Sequence, residues 1–374
     1  MRRALALASA SIGQASPNPQ VGCVLVREEE VIGEGAHFYD ARDHAEVVAL
    51  GQAALRGETT RGATAYVTLE PCSHQGRTGP CADALIAAGI ARCVVATVDP
   101  NPQVRGRGIV KMRSAGIEVA VGPGEAEARE LNNAFALSML KGRPFVTLKA
   151  ALSADGKLAP PSAQRVLRQP FWLTGLEART DVQALRHGAD AVLTGIGTVL
   201  ADDPLLTDRT GLARRRPLLR VVLDSHLRMP LDAVLVQEAQ DDLLIVTAED
   251  QAQSPAIREL QSRGVQVIAV PSNGDGLSLT HVLANLHERK ILSVLLEAGT
   301  ALNGAFLRAQ LVDQVVLFYA AIELGDGALE FAAGIEGPFA LEQRLTRLRK
   351  ESVGADVRVS GLLHDPWQDV PSLG

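Results

Sequence analysis

The sequence predicts an α/β protein of two domains. Short apolar runs of strand length alternate with stretches of helical period almost from end to end, the pattern of α/β architecture. The 374 residues exceed what a single hydrophobic core usually organises. Hydrophobic residues make up 47% and charged residues 21%, as in globular domains, but aromatics are only 3%, so the cores must be built from Ala, Val, Leu and Ile.

In the first half the pattern predicts a helix over 4–13, strands over 21–27 and 31–36, and a helix over 44–55. A strand over 65–69, a helix over 80–88, a strand over 93–98, a helix over 109–115, a strand over 117–120 and a helix over 125–140 follow. Gly89 and Gly116 each follow a helical stretch and can cap it at positive φ. Lys141-Gly142-Arg143-Pro144 carries no period. The domain boundary is placed there, giving domains 1–143 and 144–374. The second half restarts with a strand over 145–151, a helix over 176–187 and strands over 191–195, 220–224 and 243–247. It continues with a helix over 256–263, a strand over 265–269, a helix over 279–289, a strand over 293–297, a helix over 301–309 and a strand over 314–320. Residues 160–170 and 203–217 are expected as loops.

Met1-Arg2-Arg3 followed by an apolar run resembles a secretory signal, but residues 4–10 are Ala/Ser-rich with only two leucines and no clean cleavage site follows. A cytoplasmic protein is expected. No apolar run approaches the roughly 18 residues of a membrane span. Cys23, Cys72, Cys81 and Cys93 form no disulfide framework. Cys23 lies inside a predicted strand and Cys93 opens one, so both are expected as small buried apolar residues.

Three segments of the first half carry chemistry together: His44-Ala45-Glu46, Pro71-Cys72 and Cys81. A catalytic zinc takes three N or S ligands and keeps a position for water. His44 offers an imidazole and Cys72 and Cys81 offer thiolates near predicted helix starts, where the dipole favours an anion. Glu46, two residues from the histidine, is spaced to face the metal-bound water as the proton-shuttling carboxylate. This is the layout of the zinc nucleoside deaminases, except that eight residues rather than two separate the cysteines. Asn18, set between Pro17 and Pro19, is rigidly presented toward a substrate. His74, Arg77 and Thr78 lie between the cysteines, where an Arg and a hydroxyl suit a phosphate. Asp99-Pro100-Asn101-Pro102 is either a rim loop of the pocket or an ordinary turn.

These segments, with Ser16-Pro17-Asn18-Pro19-Gln20-Val21-Gly22-Cys23, 69–81 and 99–108, resemble the deaminase half of the bifunctional riboflavin biosynthesis (RibD) family. The resemblance implies a cytidine-deaminase-like three-layer α/β/α domain, one zinc per chain on His44, Cys72 and Cys81, Glu46 as proton donor, and substrate contacts from Asn18, His74, Arg77, Thr78 and Asn101. Asp43 stands where the family often has proline, and the first helix lacks an acidic lead-in.

In the second half two glycine turns stand out, Thr194-Gly195-Ile196-Gly197-Thr198 and Glu297-Ala298-Gly299-Thr300. Either a phosphate or tight packing explains such turns, and neither matches the dinucleotide fingerprint of Rossmann domains. Ser153-Ala154-Asp155-Gly156-Lys157, Trp172-Leu173-Thr174, 195–209, Val222-Leu223-Asp224-Ser225 and Glu297-Ala298-Gly299 resemble the reductase half of the same family. That resemblance implies a dihydrofolate-reductase-like α/β domain. It places NADPH against Leu152, Trp172, Thr198, Asp202, Ser225 and the turn Gly299, Thr300, Ala301, Leu302, Asn303, Gly304 and Ala305. It places substrate against Arg186, Leu206, Arg209 and Glu297, with the two arginines holding a ribosyl phosphate. The alternatives are a solvated helix face for Arg186 and a core aromatic for Trp172. Where the family usually has a serine touching substrate, this chain has Pro170, which offers neither hydroxyl nor N–H.

The expected function is therefore hydrolytic deamination of 2,5-diamino-6-(5-phosphoribosylamino)pyrimidin-4(3H)-one, followed by NADPH-dependent reduction of the ribosyl group to ribityl. The partner is a small pyrimidine ribosyl phosphate, with no nucleic acid and no membrane, and a homo-oligomer is left open. A nucleic-acid base deaminase would want a basic channel, which a net charge of −6 does not favour.

Overall fold

The computed structural model describes residues 1–74, 79–274 and 276–371. The chain forms two compact units. One comprises Met1–Gly142, Ala213–Arg216 and Pro366–Gly374; the other comprises Arg143–Leu212 and Pro217–Asp365. Neither is a single continuous span, because 213–216 and 366–374 belong with the first unit.

The first unit runs α1 (Arg2–Ser9), β1 (Gly22–Arg27), β2 (Glu30–Ala36), α2 (Ala45–Leu55), β3 (Thr64–Val67), α3 (Cys81–Ala87), β4 (Arg92–Val95), α4 (Arg107–Ser114), β5 (Glu118–Val121), α5 (Glu125–Leu131) and α6 (Asn133–Lys141). The strands form one sheet in the order β2-β1-β3-β4-β5. The β1 strand is antiparallel to both its neighbours, whereas β3, β4 and β5 run parallel. Register shows why the unit has three layers. Gly22 pairs with Ala36 and Cys23 with Gly35, so the two pairs face opposite sides of the sheet. A Cβ on Gly22 would lie 2.0 Å from Ala4 O of α1, and one on Gly35 would lie 2.4 Å from Ala45 O of α2. Helices thus press on both faces. The α2 face that meets the sheet is Ala45, Ala49 and Ala53, all fully buried. Only such small residues let the helix start, and the groups it carries, sit this close to the strands.

The second unit contains β6 (Phe145–Leu152), β7 (Lys157–Ala159), α7 (Leu176–Gly188), β8 (Ala191–Gly195), α8 (Ile196–Asp202), β9 (Leu219–Leu223), α9 (Val234–Gln237), β10 (Leu243–Ala248), α10 (Pro255–Gln261), β11 (Val265–Val270), β12 (Ser272–Asn273), β13 (Gly276–Leu277), α11 (Leu279–Glu288), β14 (Ser293–Leu296), α12 (Thr300–Arg308), β15 (Gln314–Tyr319), β16 (Leu329–Glu330), α13 (Pro338–Glu342), β17 (Thr346–Val353) and β18 (Asp356–Leu362). Nine strands form its main sheet, ordered β11-β10-β9-β8-β14-β6-β15-β18-β17. All are parallel up to β15, and the β17–β18 hairpin adds antiparallel. Alternate residues feed separate cores on the two faces: Leu244 and Val246 join one, Leu243 and Ile245 the other. The unit is thus the α/β domain with a predominantly parallel sheet that the alternation of strands and helices leads one to expect.

The first helix, expected over 4–13, is Arg2–Ser9, the short elements β7, α9, β12, β13, β16 and α13 were not expected, and three further features differ from the sequence pattern. The helix expected over 125–140 is two helices, broken at Asn132, whose φ of −113° leaves the helical region. The Asn132 amide instead bonds Gln20, accepting from its N–H at 2.8 Å and donating to its carbonyl at 3.0 Å. A helix (α8) forms where only a glycine turn was expected, and the β17–β18 hairpin was not foreseen. β17 is exposed along almost its whole length, so it carries no apolar alternation to betray it.

Candidate active sites

His44 is the N-cap residue of α2, with extended backbone (φ −78°, ψ 159°), and Glu46 lies in that helix's first turn. Cys81 opens α3, and Cys72 lies in the segment after β3. Folding brings the three ligand side chains together. His44 Nδ1 is 3.1 Å from Cys81 Sγ and 3.6 Å from Cys72 Sγ, and all three ligand atoms lie within 4.8 Å of one another. A tetrahedral zinc with ordinary Zn–N and Zn–S bonds separates its ligand atoms by about 3.5–3.8 Å, so this donor set fits the ion. The Cys81 backbone N–H donates to Cys72 Sγ at 3.3 Å. The two sulfurs share a proton: the bond from Cys81 draws the Cys72 thiol strongly down, while the same bond and burial push Cys81 up. A dication that displaces this proton makes both thiolates.

Glu46 is 3% exposed, and burial followed by the nearby Cys72 charge raises its carboxyl to about 7. A carboxyl balanced near neutrality beside the metal ligands can both take and release a proton.

Around this centre Asn18 is half-buried, and its amide nitrogen lies 2.9 Å from His37 Nε2, whose Nδ1 is 2.8 Å from the Asp43 carbonyl. His37 also packs edge-on against His44, at 5.3 Å between ring centroids. The Ser16 carbonyl before Asn18 accepts from Arg215 Nε at 2.9 Å. Asn101 is partly exposed and its side-chain oxygen caps its own turn, accepting from Gln103 N at 3.0 Å. His74 is exposed, while Arg77 and Thr78 fall outside the described residues. Cys23 and Cys93 are fully buried core residues, as expected.

The sequence reading gave no role to Glu70 or His37. The buried Glu70 carboxylate accepts backbone N–H groups of Asp99, Gly106, Gly108 and Ile109, at 3.2, 2.8, 2.9 and 3.3 Å. It therefore fastens the 99–108 loop to the strand end that leads into Cys72. The available signal was an acidic residue directly after an apolar strand, with no charge of opposite sign nearby in sequence.

The second unit holds a cavity of about 840 Å³ at the carboxyl ends of β8 and β14, where open α/β sheets bind ligands. Of the expected substrate contacts, Arg186, Leu206, Arg209 and Glu297 line it; of the expected cofactor contacts, Trp172, Thr198, Asp202, Gly299, Thr300, Ala301 and Leu302 do. Leu152, Ser225, Asn303, Gly304 and Ala305 are not among the lining residues. Leu152 is core, Asn303 is buried with its amide donating to Phe331 O at 3.0 Å, and Gly304 lets α12 press against Ala333.

Arg186 is not an open phosphate clamp. It forms a two-pronged bond to Glu297, Nε–Oε1 2.6 Å and Nη2–Oε2 3.0 Å, and donates to Thr207 O at 3.0 Å. Lys149 Nζ lies 3.9 Å from the same carboxylate. Burial pushes Glu297 up, but the Arg186 and Lys149 charges outweigh it and hold the carboxyl below its ordinary value; burial lowers Lys149. Lys149 was not singled out from sequence, although a lysine inside the apolar run Phe-Val-Thr-Leu-Lys-Ala-Ala-Leu is a visible anomaly. Arg209 is exposed at the cavity and is the cation more open to an anion. Trp172 is 57% exposed, with the Arg179 guanidinium 4.9 Å from its ring centroid, so it is no core aromatic. Pro170 lines the cavity, as does Arg165 from the same loop, whose buried Nε has no hydrogen-bond partner among the described residues. The cavity is of cofactor size, and Gly299, N-cap of the nine-residue α12, lines it together with the helix's first turn, whose N–H groups have no partner within the helix. These features fit a phosphorylated dinucleotide.

Fold and site together define a zinc deaminase joined in one chain to a nucleotide-dependent reductase. Residues 1–97 match the cytidine and deoxycytidylate deaminase zinc-binding region, and residues 144–358 match the RibD C-terminal domain. The riboflavin biosynthesis protein RibD of Aquifex aeolicus is 40% identical over 359 residues, covering 96% of both chains, and that of Escherichia coli is 42% identical, covering 88% of both. Among solved structures, Acinetobacter baumannii RibD superposes with a TM-score of 0.81 at 37% identity, covering 96% of this chain and 97% of that one. A diaminohydroxyphosphoribosylaminopyrimidine deaminase/5-amino-6-(5-phosphoribosylamino)uracil reductase from Thermotoga maritima gives 0.83 at 36% identity, covering 96% of both. The chain belongs to the RibD family, the bifunctional deaminase–reductases of riboflavin biosynthesis. Its cofactors are zinc and NADPH.

Proposed function

We propose that residues 1–143 act as the deaminase domain and 144–374 supply the reductase, with Trp367 and Val370 serving the first unit's core. The deaminase substrate is the diaminopyrimidinone ribosyl phosphate. Its 2-amino group leaves as ammonia and a carbonyl takes its place. Zinc, when held by His44, Cys72 and Cys81, supplies the activation of a water molecule at neutral pH. Glu46 takes the proton from that water and passes it toward the departing amine, so the carboxylate ends the cycle as it began. Asn18, oriented by His37, and Asn101 on the 99–108 loop hold the pyrimidine; His74, Arg77 and Thr78 are assigned to the substrate's polar and phosphate end.

The reductase substrate is the deaminated uracil ribosyl phosphate. NADPH supplies the hydride that converts the ribosyl carbon to the ribityl level. Trp172, Thr198, Asp202 and the Gly299–Leu302 turn are assigned to holding the cofactor, and Leu152, Ser225, Asn303, Gly304 and Ala305 to supporting that surface from behind. Glu297, kept ionised by Arg186 and Lys149, orients the sugar or base, Arg209 meets the phosphate, and Leu206 packs on the ligand. The product keeps both pyrimidine and phosphate, so this reading needs no nucleic acid and no membrane. Among the described residues no helix is long and apolar enough to cross one. A cytoplasmic enzyme is proposed.

The observation that carries the reading is the convergence of one imidazole and two thiols beside a buried carboxyl poised near neutrality. The test is incubation with the diaminopyrimidinone phosphate, with and without NADPH, following products by mass. The reading expects the uracil alone without NADPH and the ribityl compound with it. Reduction without prior deamination, or neither product, contradicts it.

A further inference from the structure

Residues 366–371 lie far along the chain from the deaminase motifs, yet they complete the first unit. Trp367 is 1% exposed and Val370 4% exposed within that unit's core. The Trp367 indole N–H donates to Arg129 O at 3.1 Å and Asn133 Oδ1 at 3.0 Å, and the Arg129 guanidinium sits 5.2 Å from the ring centroid. Arg129 Nε in turn donates to Thr97 Oγ1 at 3.1 Å, at the foot of the loop that carries Asn101. Between the anchors Trp367 and Val370, the Asp369 carbonyl accepts from Arg105 Nη1 at 2.8 Å, while Arg105 Nη2 donates to Pro100 O at 2.9 Å. The loop is thus gripped from two sides: Glu70 holds Asp99 and Gly106 from the Cys72 side, and Arg105 ties Pro100 to the 366–371 segment.

We propose that Arg105 and residues 366–371 form a positioning strap for deamination, holding the Asn101 loop in register with the metal ligands. The strap touches neither metal nor reacting atoms. Its effect is on where the substrate sits, so it acts on KM more than on kcat. The proposal rests on the reading that the 99–108 loop borders the deaminase substrate. It deepens that reading by naming what fixes the loop.

The experiment compares deamination by the full-length zinc enzyme with that of Arg105→Ala, Trp367→Phe, Asn101→Ala, a chain stopped after Asp365, and the shortened chain carrying Arg105→Ala. Arg105→Ala is expected to raise KM roughly ten-fold with kcat within about two-fold, since small misplacements of a bound substrate are costly. Arg105→Lys, which keeps a donor, recovers part of the loss. Trp367→Phe keeps a smaller aromatic ring but loses the indole donor, and raises KM by about three-fold. The shortened chain, which also loses the Trp367 and Val370 anchors, raises KM at least as much as Arg105→Ala, and adding Arg105→Ala to it changes little further, because the partner of Arg105 is already gone. Zinc content and reductase kinetics with the deaminated substrate stay unchanged in the point variants, which reports that they fold. An unchanged KM for Arg105→Ala, or full additivity with the shortened chain, overturns the strap. If Asn101→Ala still raises KM in that case, the loop reading survives alone; if it too is silent, both fall.

Discussion

The two sites are built in opposite ways. The metal centre draws its three ligands from a stretch of 38 residues between His44 and Cys81, and two of them sit at helix starts whose positions the sheet fixes. The reductase cavity is walled by many separated segments, from Lys149 to Leu329, and its central charges already satisfy one another. A site made from one compact motif fails all at once when a ligand is lost. A site made from a distributed wall degrades in steps, except where a buried ion pair makes one residue indispensable to another.

Replacement of His44 is the largest break in this comparison. His44→Ala is expected to remove zinc and to lower deamination by at least about a thousand-fold, while leaving reduction of the deaminated substrate intact. Metal analysis and the two separate assays check it. Retained zinc, or a parallel loss of reduction, would erase the distinction between the sites.

The matching break in the second unit is Glu297→Gln. It leaves Arg186 and Lys149 without their counter-charge in a largely buried setting, so the unit loses about 3 kcal/mol of stability along with reductase activity. Urea unfolding of the second unit measures it, and deamination is expected to persist. Gly35→Ala tests the close helix approach beneath the metal site: its Cβ would meet Ala45 O at 2.4 Å, which displaces α2 at a cost of about 1–3 kcal/mol. Deamination should suffer more than reduction.

A finer distinction is pH dependence. Burial raises Asp99 to about 7, against roughly 3.9 in an unfolded chain. A carboxyl raised on folding stabilises the fold fully below about pH 4, and that contribution is lost as pH rises through 7. Asp99→Asn should therefore lessen, by no more than about 4 kcal/mol, a decline in first-unit stability across this window to which Glu46, raised to the same range, also contributes. The urea midpoint followed by Trp367 fluorescence in a Trp172→Phe background checks it. An unaltered slope would remove Asp99 as a source.

The same contrast governs what could be learned before the structure. His44, Glu46, Cys72 and Cys81 were legible because metal chemistry restricts residue type as well as spacing. The main-sheet strands other than β17 and β18 were legible because most bury a run of Val, Leu and Ile. Arg186 and Glu297 were foreseen as ligand contacts, but their mutual bond was not, since nothing in sequence pairs residues 111 positions apart. Asn132 was hidden inside a helical period because its preference for Gln20 is tertiary. Trp367 was invisible for the same reason: one aromatic beyond the last apolar strand gives no hint that it fills the core of a distant unit. The β17 strand was missed because an exposed edge needs no apolar pattern.

The most direct test of the central claim is zinc content and ammonia release in Glu46→Gln. The amide keeps the shape of the side chain but cannot carry the proton. One zinc per chain with deamination reduced by about a thousand-fold is the expected result. Loss of zinc would make Glu46 a ligand, and near-normal ammonia release would place the proton transfer on some other group.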